Sequence, residues 1–413
     1  MAEPPRGAAF VEGLDVSAYG IARSLGPHGV PIYALTDGVR DHLRFSRYCR
    51  EAFAFADDPA QPRAYAGDRI ANDEVLCESM VEWAARFAEK PVLFATSDWF
   101  ARFLCRKQRE LSPRYLFHWV APALFDSIMD KGAMAVLCER AGVRVPRTHV
   151  TRAAEDMAGV AGGFVFPCLV KPIHRYAAGF PSDGAKVFVA QTPEQLEAFF
   201  ERYPQAKGAT LIQELIEGGD DQVFQCTVLV STTGQVSALS TVRKLHQYPA
   251  GYGSMCYGRA ERNDALAEEA LKVIRALGYR GLGSLEFKYR ASDGSYYFIE
   301  MNTRLPWYNG LFADAGVNLA RLAYLDLRGD TASADDGAAQ RDGTTWVSYR
   351  AFASWYRTTR QQRPISLAQF TATLAGSSSY AWWNSADPAP FIWSQLYGAR
   401  RSAGMVARRL GWR

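Results

Sequence analysis

The chain of 413 residues lacks the cysteine pattern of a metal or disulfide framework. It contains seven Cys, but they are scattered along the sequence and no two of them form a C-x-x-C pair. Structural zinc sites and disulfide-rich secreted domains both need closely spaced cysteines. The sequence therefore predicts reduced thiols in a cytoplasmic protein.

Long apolar runs are also missing. No stretch approaches the roughly 18 consecutive apolar residues that a membrane-spanning helix needs. The first ten residues, MAEPPRGAAF, lack the charged segment and apolar core of a secretory signal. We therefore expect a soluble, cytoplasmic protein.

A strong overall charge is absent as well. The net charge is +4, and the composition of 48% hydrophobic and 22% charged residues is ordinary for a globular protein. This balance does not predict nucleic-acid binding. The charge is uneven, however, because residues 341–413 contain ten Arg, no Lys and two Asp, a local charge of +8.

The first 125 residues alternate between short apolar runs and helical patterns. AAFVEGLDVSAYGIARSLGPHGVPIYAL predicts strand, helix and strand, and PVLFATSD predicts a further strand that a helix follows. Such alternation predicts a parallel sheet with helices packed on it. Gly13 and Gly20 do not form a G-x-G-x-x-G pattern, so a dinucleotide site is not predicted.

From residue 126 onward the pattern changes to a mixture of helices and hairpins. The sequence predicts a helix over residues 126–143, a buried strand ending on Lys171, a helix capped by Thr192 and a strand over ATLIQE. Two hairpins follow, with an amphipathic helix between them. This order predicts an α+β region after the parallel domain.

The second hairpin, GSLEFKYRASDGSYYFIEMNTR, contains the most informative side chains. A turn centred on Asp293 would place Glu286 opposite Glu300 and Lys288 opposite Phe298. Two directly opposed carboxylates repel each other, so a sheet should avoid this pair unless a cation compensates for it.

One face of this hairpin predicts a metal site. Side chains alternate along a strand, so Glu300, Asn302 and Arg304 share a face, with Glu286 opposite Glu300 on it. Carboxylate and amide oxygens suit Mg²⁺, which takes its other ligands from water and phosphate. The alternative is a pair of solvated glutamates on an exposed face.

Two lysines and a polar segment add to this pattern. Lys171 ends a buried strand, where an outward cation suits an anionic ligand, and Lys131 lies at the start of a helical segment. Taken singly, each could be an ordinary surface lysine. The segment LIQELIEGGDD begins with extended backbone, whose polar groups can bond to the edge of an adenine. Acidic residues follow, at a distance from which they can bind ribose hydroxyls.

Together these residues resemble the ATP-grasp superfamily of carboxylate–amine ligases. The nearest group is that of the predicted ATP-dependent carboligases, which are more distantly related to D-aspartate ligase. Lys131, Lys171 and the segments QELI, EFK, IEMNTR and AGVNLARLAYLDLRG carry the resemblance, which covers residues 126 to about 330. GIARSLGPHGVPIYAL, SRYC and ATSD also resemble the N-terminal domain of that group.

The resemblance implies an ATP-grasp fold. A Rossmann-like parallel α/β domain is followed by two α+β subdomains that hold ATP between two antiparallel sheets. The predicted units are 1–125 for the N-terminal domain, 126–208 and 209–330 for the two subdomains, 331–345 for a linker and 346–413 for a Trp- and Arg-rich C-terminal extension.

The resemblance also implies a site. Lys131 and Lys171 would contact the ATP phosphates, and Glu286, Glu300 and Asn302 would hold one or two Mg²⁺, with Mn²⁺ as a second candidate ion. Arg304 would contact the transferred phosphate or the acyl intermediate, and Arg243 resembles a family arginine near the phosphates. The residues expected at adenine and ribose are Gln213, Glu214, Ile216 and Asp220.

One segment departs from the family pattern. The loop that covers the phosphates is usually rich in glycine and serine, whereas HRYAAGFPSDGAK contains two Gly and the bulky Tyr176 and Phe180. Lys186, at the end of this loop, is the third lysine expected near the phosphates.

The implied function is an ATP-dependent carboxylate–amine ligase. It would form an amide or peptide bond through an acyl phosphate and release ADP and phosphate, and its substrates would be small acids and amines, with amino acids among the candidates. A kinase or an acid–thiol ligase would use the same Mg–ATP site. A sensor that binds ATP without turnover should have lost a metal ligand, and none is lost here.

Two flanking segments, HQYPAGYGSMCYG and LPWYNG, are candidates for the substrate wall. Aromatic packing beneath a loop is the alternative for both.

The C-terminal extension carries six of the ten Trp among its arginines. QLYGARRSAGMVARRLGWR has the pattern of an amphipathic helix. Contact with an anionic membrane, a subunit contact in a homodimer and packing on its own domain are the three alternatives. DPAPF after AWWNSA resembles the tail of the carboligase group, which favours an integral part of the fold.

Overall fold

The protein is described by a computed structural model. The residues it describes are 7–13, 16–36, 42–54, 73–151, 163–173, 187–208, 210–331, 339–361 and 365–397.

The N-terminal part is a four-stranded parallel sheet covered by helices, in the strand order β3-β2-β1-β4. Its strands are β1 (Ala9–Glu12), β2 (Ile32–Thr36), β3 (Cys49–Ala54) and β4 (Val92–Phe94). Its helices are α1 (Val16–Leu25), α2 (Asp73–Ala84), α3 (Asp98–Arg106) and α4 (Gln108–Leu111). β1 and β2 are buried at every position because helices cover both faces of a parallel sheet. This confirms the predicted parallel α/β architecture.

Two helices lie where the sequence predicts one. α5 (Pro122–Met129) ends at Asp130, and α6 (Lys131–Arg140) begins directly after it. The Asp130 carboxylate accepts hydrogen bonds from the backbone N–H groups of Gly132 and Ala133. Because an N-cap residue has non-helical backbone, it separates the two helices. The prediction of one helix over residues 126–143 is therefore wrong, and Lys131 lies at the start of α6.

A four-stranded antiparallel sheet follows, in the order β5-β8-β6-β7. Its strands are β5 (Thr148–Thr151), β6 (Cys168–Pro172), β7 (Phe188–Ala190) and β8 (Thr210–Glu214), and helix α7 (Pro193–Arg202) packs on it. β8 pairs with both β5 and β6, so this sheet continues past residue 208, where the sequence predicts a subdomain boundary.

The third sheet has seven strands in the order β13-β12-β9-β10-β11-β14-β15. They are β9 (Val223–Val230), β10 (Val236–Tyr248), β11 (Ser254–Ala260), β12 (Gly281–Arg290), β13 (Ser295–Asn302), β14 (Thr345–Val347) and β15 (Ser379–Tyr380). Helix α8 (Asp264–Leu277) buries its apolar stripe against one face, as its periodicity predicts. Helices α9 (Gly310–Asp314) and α10 (Leu319–Arg328) pack between the other face and α1.

The C-terminal segment is built into this fold. β14 pairs with β11, β15 pairs with β14, and helices α11 (Tyr349–Thr359) and α12 (Leu367–Gly376) follow β14. Asp387 accepts hydrogen bonds from the Ser46 hydroxyl at 2.5 Å and from the Arg47 N–H at 2.9 Å. The described part of this segment therefore contacts both the third sheet, through β14 and β15, and the N-terminal domain, through Asp387.

The remainder of the predicted amphipathic helix, residues 398–413, lies outside the described residues. Among the residues that are described, no helix is long and apolar enough to cross a bilayer.

The hairpin of β12 and β13 keeps the predicted glutamate pair but not the whole predicted register. The observed pairs include Glu286–Glu300, Phe287–Phe298 and Lys288–Tyr297. Ile299 is the extra residue of a β-bulge, which shifts the register by one position. The predicted pairing of Lys288 with Phe298 is therefore wrong, because the bulge takes up one residue of β13.

Candidate functional site

The face of the third sheet opposite α8 carries a buried ion pair. The register aligns Glu286 of β12 with Gln225 of β9 and Val242 of β10, so these side chains lie on one face. Lys244, two residues after Val242, points the same way, and its Nζ lies 2.5 Å from Oε2 of Glu286. Lys244 is only 4% exposed, so its ammonium is held by Glu286 rather than by solvent.

Glu300 lies beside Glu286 and is surrounded by positive charge. Its Oε2 is 4.0 Å from Nζ of Lys131, which reaches it from the start of α6. Enclosure in the cleft works to raise the pKa of Glu300, but the charges of Lys131, Lys244 and Lys171 and a hydrogen bond with Asn302 hold it below its ordinary value. The carboxylate therefore stays ionised among the three lysines.

Lys171 approaches the same point from the other antiparallel sheet. Its Nζ donates to Oε1 of Gln213 at 3.0 Å, and the Gln213 amide donates in turn to Thr148 at 3.0 Å. Burial, and then the charge of Lys131, lower the pKa of Lys171 to about 8, while Glu300 and Glu286 oppose this shift. The two sheets thus place lysines and carboxylates around one cleft, which suits a ligand with several negative charges.

The donor set fits a hard divalent cation. Glu286, Glu300 and Asn302 offer carboxylate and amide oxygens on neighbouring strands, the type of ligand that Mg²⁺ prefers. Nowhere in the described ranges do three His, Cys, Asp or Glu side chains form a metal-binding group. A metal held here would therefore take its remaining ligands from a phosphate or from water.

The predicted adenine segment lies at the end of β8. The Glu214 carboxylate accepts from the Arg147 N–H at 3.1 Å and from the Arg290 guanidinium, so its side chain ties β8 to β12. The Gln213 side chain accepts a hydrogen bond from Lys171, and Ile216 is buried, at 4% exposure. The side chains of this segment are therefore engaged by protein groups, which leaves recognition of a base to backbone and apolar contacts.

Asp220 is anchored by a neighbouring loop. It is 6% exposed, and its carboxylate accepts from the backbone N–H groups of Gln247 at 2.9 Å and Gly251 at 2.8 Å. The Gln247 side-chain amide donates to it as well, at 3.1 Å. In this structure Asp220 fixes the 247–251 loop, and its contact with ribose stays a prediction.

The structure does not bring Arg243 to this face. Its guanidinium lies 5.4 Å from the centre of the Phe224 ring and donates to the Asp221 carbonyl at 2.7 Å. Phe224 belongs to the core beneath α8, on the opposite side of the sheet from Glu286. Because successive side chains alternate, Arg243 and Lys244 cannot both face the cleft.

Sequence reasoning missed Lys244 and Lys288. Lys244 lies next to Arg243, the residue that the resemblance indicates. Only the register of β9 with β10 and β12 shows that Lys244, and not Arg243, lies on the same face of the sheet as Glu286. Lys288 lies on the same face and donates to the carbonyl oxygens of Gly218 at 2.8 Å and Gly219 at 2.6 Å. Its spacing of two residues from Glu286 in EFK is the signal that could have found it.

Arg304 meets the N-terminal domain. Its Nε lies 2.7 Å from Oδ1 of Asp98, and its Nη2 lies 3.2 Å from Oδ2 of the same carboxylate. Asp98 is the first residue of α3. Lys186 and the rest of the loop predicted to cover the phosphates lie outside the described residues.

The predicted substrate wall LPWYNG, which follows Arg304, packs its aromatic rings against Trp346. The rings of Trp307 and Tyr308 lie 5.2 Å and 5.9 Å from the Trp346 ring. Burial, and then the charge of Glu286, raise the pKa of Tyr308. Tyr308 therefore lies near the candidate metal ligands, although its visible contacts are those of aromatic packing.

The chain is similar to several known proteins. The family model described as "Carbamoyl-phosphate synthase L chain, ATP binding domain" matches residues 258–323, which include Glu286, Glu300, Asn302 and Arg304. A D-aspartate ligase of Enterococcus faecium is 24% identical over 339 residues, covering 76% of this chain and 75% of that protein.

Two solved structures show the same fold. The biotin carboxylase domain dimer of Hydrogenobacter thermophilus 2-oxoglutarate carboxylase, solved with MgADP, ADP and bicarbonate, has a TM-score of 0.61 at 17% identity, covering 82% of this chain and 73% of that one. An L-amino acid ligase from Bacillus licheniformis has a TM-score of 0.56 at 14% identity, covering 79% of this chain and 75% of that one.

These comparisons confirm the predicted ATP-grasp fold and the resemblance to ATP-grasp carboxylate–amine ligases. The D-aspartate ligase relative supports the predicted enzyme class, an ATP-dependent ligase.

Proposed function

We propose that the chain joins a small carboxylate to a small amine, forming an amide or peptide bond while ATP is cleaved to ADP and phosphate. The observation that carries this proposal is the convergence of Lys131, Lys171 and Lys244 on the opposed carboxylates of Glu286 and Glu300. Three cations and two carboxylates around one cleft suit a polyanion that brings a divalent metal.

The nucleotide would lie between the two antiparallel sheets. In this proposal Lys131, Lys171 and Lys244 contact phosphate oxygens, and Lys186 is a further predicted phosphate contact. The backbone of residues 213–216 binds the adenine edge, with Ile216 against the ring, and Asp220 lies near the ribose. The ATP-binding family model and the MgADP complex of a structural neighbour support this assignment.

Glu286, Glu300 and Asn302 would hold one or two Mg²⁺ ions, with Mn²⁺ as a second candidate ion. When bound, the metal neutralises negative charge on the phosphates. Lys244 would then exchange its contact with Glu286 for one with phosphate, since the metal takes over neutralisation of that carboxylate. Lys131 would likewise exchange its contact with Glu300 for one with phosphate.

Chemistry explains why such a site needs no nucleophile of its own. A carboxylate is a poor electrophile, because oxide is a very poor leaving group. In the proposed first step a carboxylate oxygen bonds to the γ-phosphorus and the bond to the bridging oxygen breaks, which releases ADP. In the second step the amine nitrogen bonds to the acyl carbon, the C–O bond breaks with its electron pair leaving on phosphate, and the nitrogen loses a proton.

The first step brings two anions together, and the second builds negative charge on the acyl oxygen and the departing phosphate, so positive groups around them lower the barrier of both steps. The lysines cancel the repulsion between carboxylate and triphosphate in the first step. Arg304 would contact the transferred phosphate or the acyl phosphate. A covering loop is needed as well, because water would otherwise hydrolyse the acyl phosphate.

A substrate panel tests this proposal. We would incubate the protein with Mg–ATP and combinations of acids and amines, amino acids included, and follow ADP release together with product masses. The expected result is ADP release that requires both an acid and an amine, with a product lighter than their sum by one water. A stable phosphorylated product would identify a kinase, and a product that requires a thiol in place of the amine would identify an acid–thiol ligase.

A further inference from the structure

The contact between Arg304 and Asp98 joins two distant parts of the chain, 206 residues apart in sequence. It is a two-pronged ion pair, with Nε on one carboxylate oxygen at 2.7 Å and Nη2 on the other at 3.2 Å. Such a fork fixes the plane of a guanidinium as well as its position. The Arg304 side chain is 17% exposed and that of Asp98 is 34% exposed, so the pair lies at a partly open edge.

Asp98 itself is held on a rigid support. The preceding residue, Ser97, is the N-cap of α3, and its hydroxyl accepts from the Phe100 N–H at 3.1 Å. Glu12, at the end of β1 and 1% exposed, accepts from the N–H groups of Thr96 and Ser97, both at 2.9 Å. The backbone that carries Asp98 is therefore fixed to the N-terminal parallel sheet.

Arg304 lies close in the chain to the candidate metal ligands. It follows Asn302 by two residues at the end of β13, the strand that also carries Glu300. A long arginine side chain on a loop has several rotamers, and the entropy of fixing it opposes any single position. The fork to Asp98 selects one of them before a substrate arrives.

We propose that Asp98 is a positioning residue, which holds the Arg304 guanidinium at the edge of the metal site so that the N-terminal domain completes the site. This inference rests on the proposed function, in which Arg304 contacts the transferred phosphate or the acyl phosphate. Preorganised charge contributes to rate because it needs no rearrangement during the reaction.

A simple tie between domains is the rival explanation, and the chain offers a matched control for it. Arg102 and Asp126 also form an ion pair between α3 and the following region, with a nitrogen–oxygen distance of 3.1 Å. Both of these side chains are about half exposed, at 48% and 51%, and neither belongs to the candidate site described above. Exposed pairs of this kind contribute little to stability.

The first test compares Asp98→Asn with Asp126→Asn in the full chain. We expect Asp98→Asn to lower kcat by about tenfold to a hundredfold, because a displacement of about 1 Å costs that much, while KM for ATP stays within about threefold. Asp126→Asn should leave kcat unchanged. Wild-type kcat in Asp98→Asn would overturn the inference.

A double-variant cycle shows whether Asp98 acts through Arg304. Adding Asp98→Asn to Arg304→Met should cause no further loss of kcat, since the charged group that Asp98 positions is already gone. Losses that multiply would contradict a positioning role.

A third readout does not depend on catalysis. Phenylglyoxal modifies accessible arginines, and mass spectrometry measures its rate at Arg304 without nucleotide. We expect faster modification of Arg304 in Asp98→Asn and an unchanged rate in Asp126→Asn. An unchanged modification rate in Asp98→Asn would overturn the inference, whether or not the wild type forms a ligation product. The absence of any ligation product would instead refute the proposed function.

Discussion

Lys244 and Glu286 form a buried ion pair of 2.5 Å on the same face of the third sheet, beside the opposed carboxylate of Glu300. A buried lysine compensates the charge that two facing glutamates create. In the proposed reaction Lys244 would contact a phosphate instead of Glu286 once a metal is bound by the carboxylates. The pair therefore explains how an opposed glutamate pair is tolerated without ligand, and it provides the first prediction.

Lys244→Met should lower kcat/KM for ATP by about a hundredfold, the usual cost of removing one preorganised group that contacts developing charge. Arg243→Lys, a change at the adjacent residue on the opposite face, should stay within about threefold of the wild type. Steady-state ADP release measures both. Equal losses in the two variants would contradict the assignment of faces.

Glu300→Gln should reduce turnover by about a hundredfold or more while some nucleotide binding persists, since the lysines that attract phosphate remain. Calorimetry with ADP, with and without Mg²⁺, separates the two effects. We expect the variant to lose the Mg²⁺-dependent part of its affinity. Full activity in Glu300→Gln would disprove the metal site.

Nucleotide affinity should fall as the pH rises through about 8, the pKa of Lys171. Protonated Lys171 attracts phosphate and neutral Lys171 does not, so the dissociation constant should be flat below about pH 7 and rise above about pH 8. Bound phosphate favours the charged lysine, so the complex retains its proton to higher pH than the free protein.

Lys171→Arg provides the control for this pH profile, because arginine stays protonated throughout the range. Its dissociation constant for ADP should show no rise near pH 8. A wild-type profile that is flat to pH 9.5 would show that Lys171 does not contact the nucleotide.

Gly20→Ala should destabilise the protein by about 1–3 kcal/mol, the usual cost of overpacking. A Cβ at Gly20 would lie 2.3 Å from Oδ1 of Asn309 and 3.0 Å from the backbone nitrogen of Gly310, where α1 packs against the segment after Arg304. Gly376→Ala is the control, because among the described residues nothing beyond its chain neighbours and its own helix lies within 4 Å of the added Cβ. Thermal unfolding compares the two variants, and equal Tm values would contradict this packing.

Local pattern predicts much of this molecule. The alternation of strands and helices predicts the parallel N-terminal sheet, and the stripe on α8 predicts its buried face. The predicted opposition of Glu286 and Glu300 is observed, but only because the bulge at Ile299 shifts the register by one position between the turn and this pair. The bulge at Ile299 is not predicted, since one extra residue in a strand leaves no distinct signal in the sequence.

Long-range relationships account for the rest. The choice between Arg243 and Lys244 depends on the register of β9 with two other strands, which no local pattern provides. The contact between Asp98 and Arg304 depends on how the N-terminal domain packs against β13. The sequence predicts β8 as the start of the second subdomain. In the structure β8 pairs with β5 and β6, because its apolar residues complete their sheet.

The transfer of oxygen tests the central claim most directly. The acid substrate found in the panel would be labelled with ¹⁸O in its carboxylate, and the released phosphate would be analysed by mass spectrometry and phosphorus NMR. An acyl phosphate predicts one ¹⁸O in each phosphate, because the carboxylate oxygen that bonds to phosphorus leaves with it. Unlabelled phosphate, or label in AMP with release of pyrophosphate, would contradict the proposed mechanism.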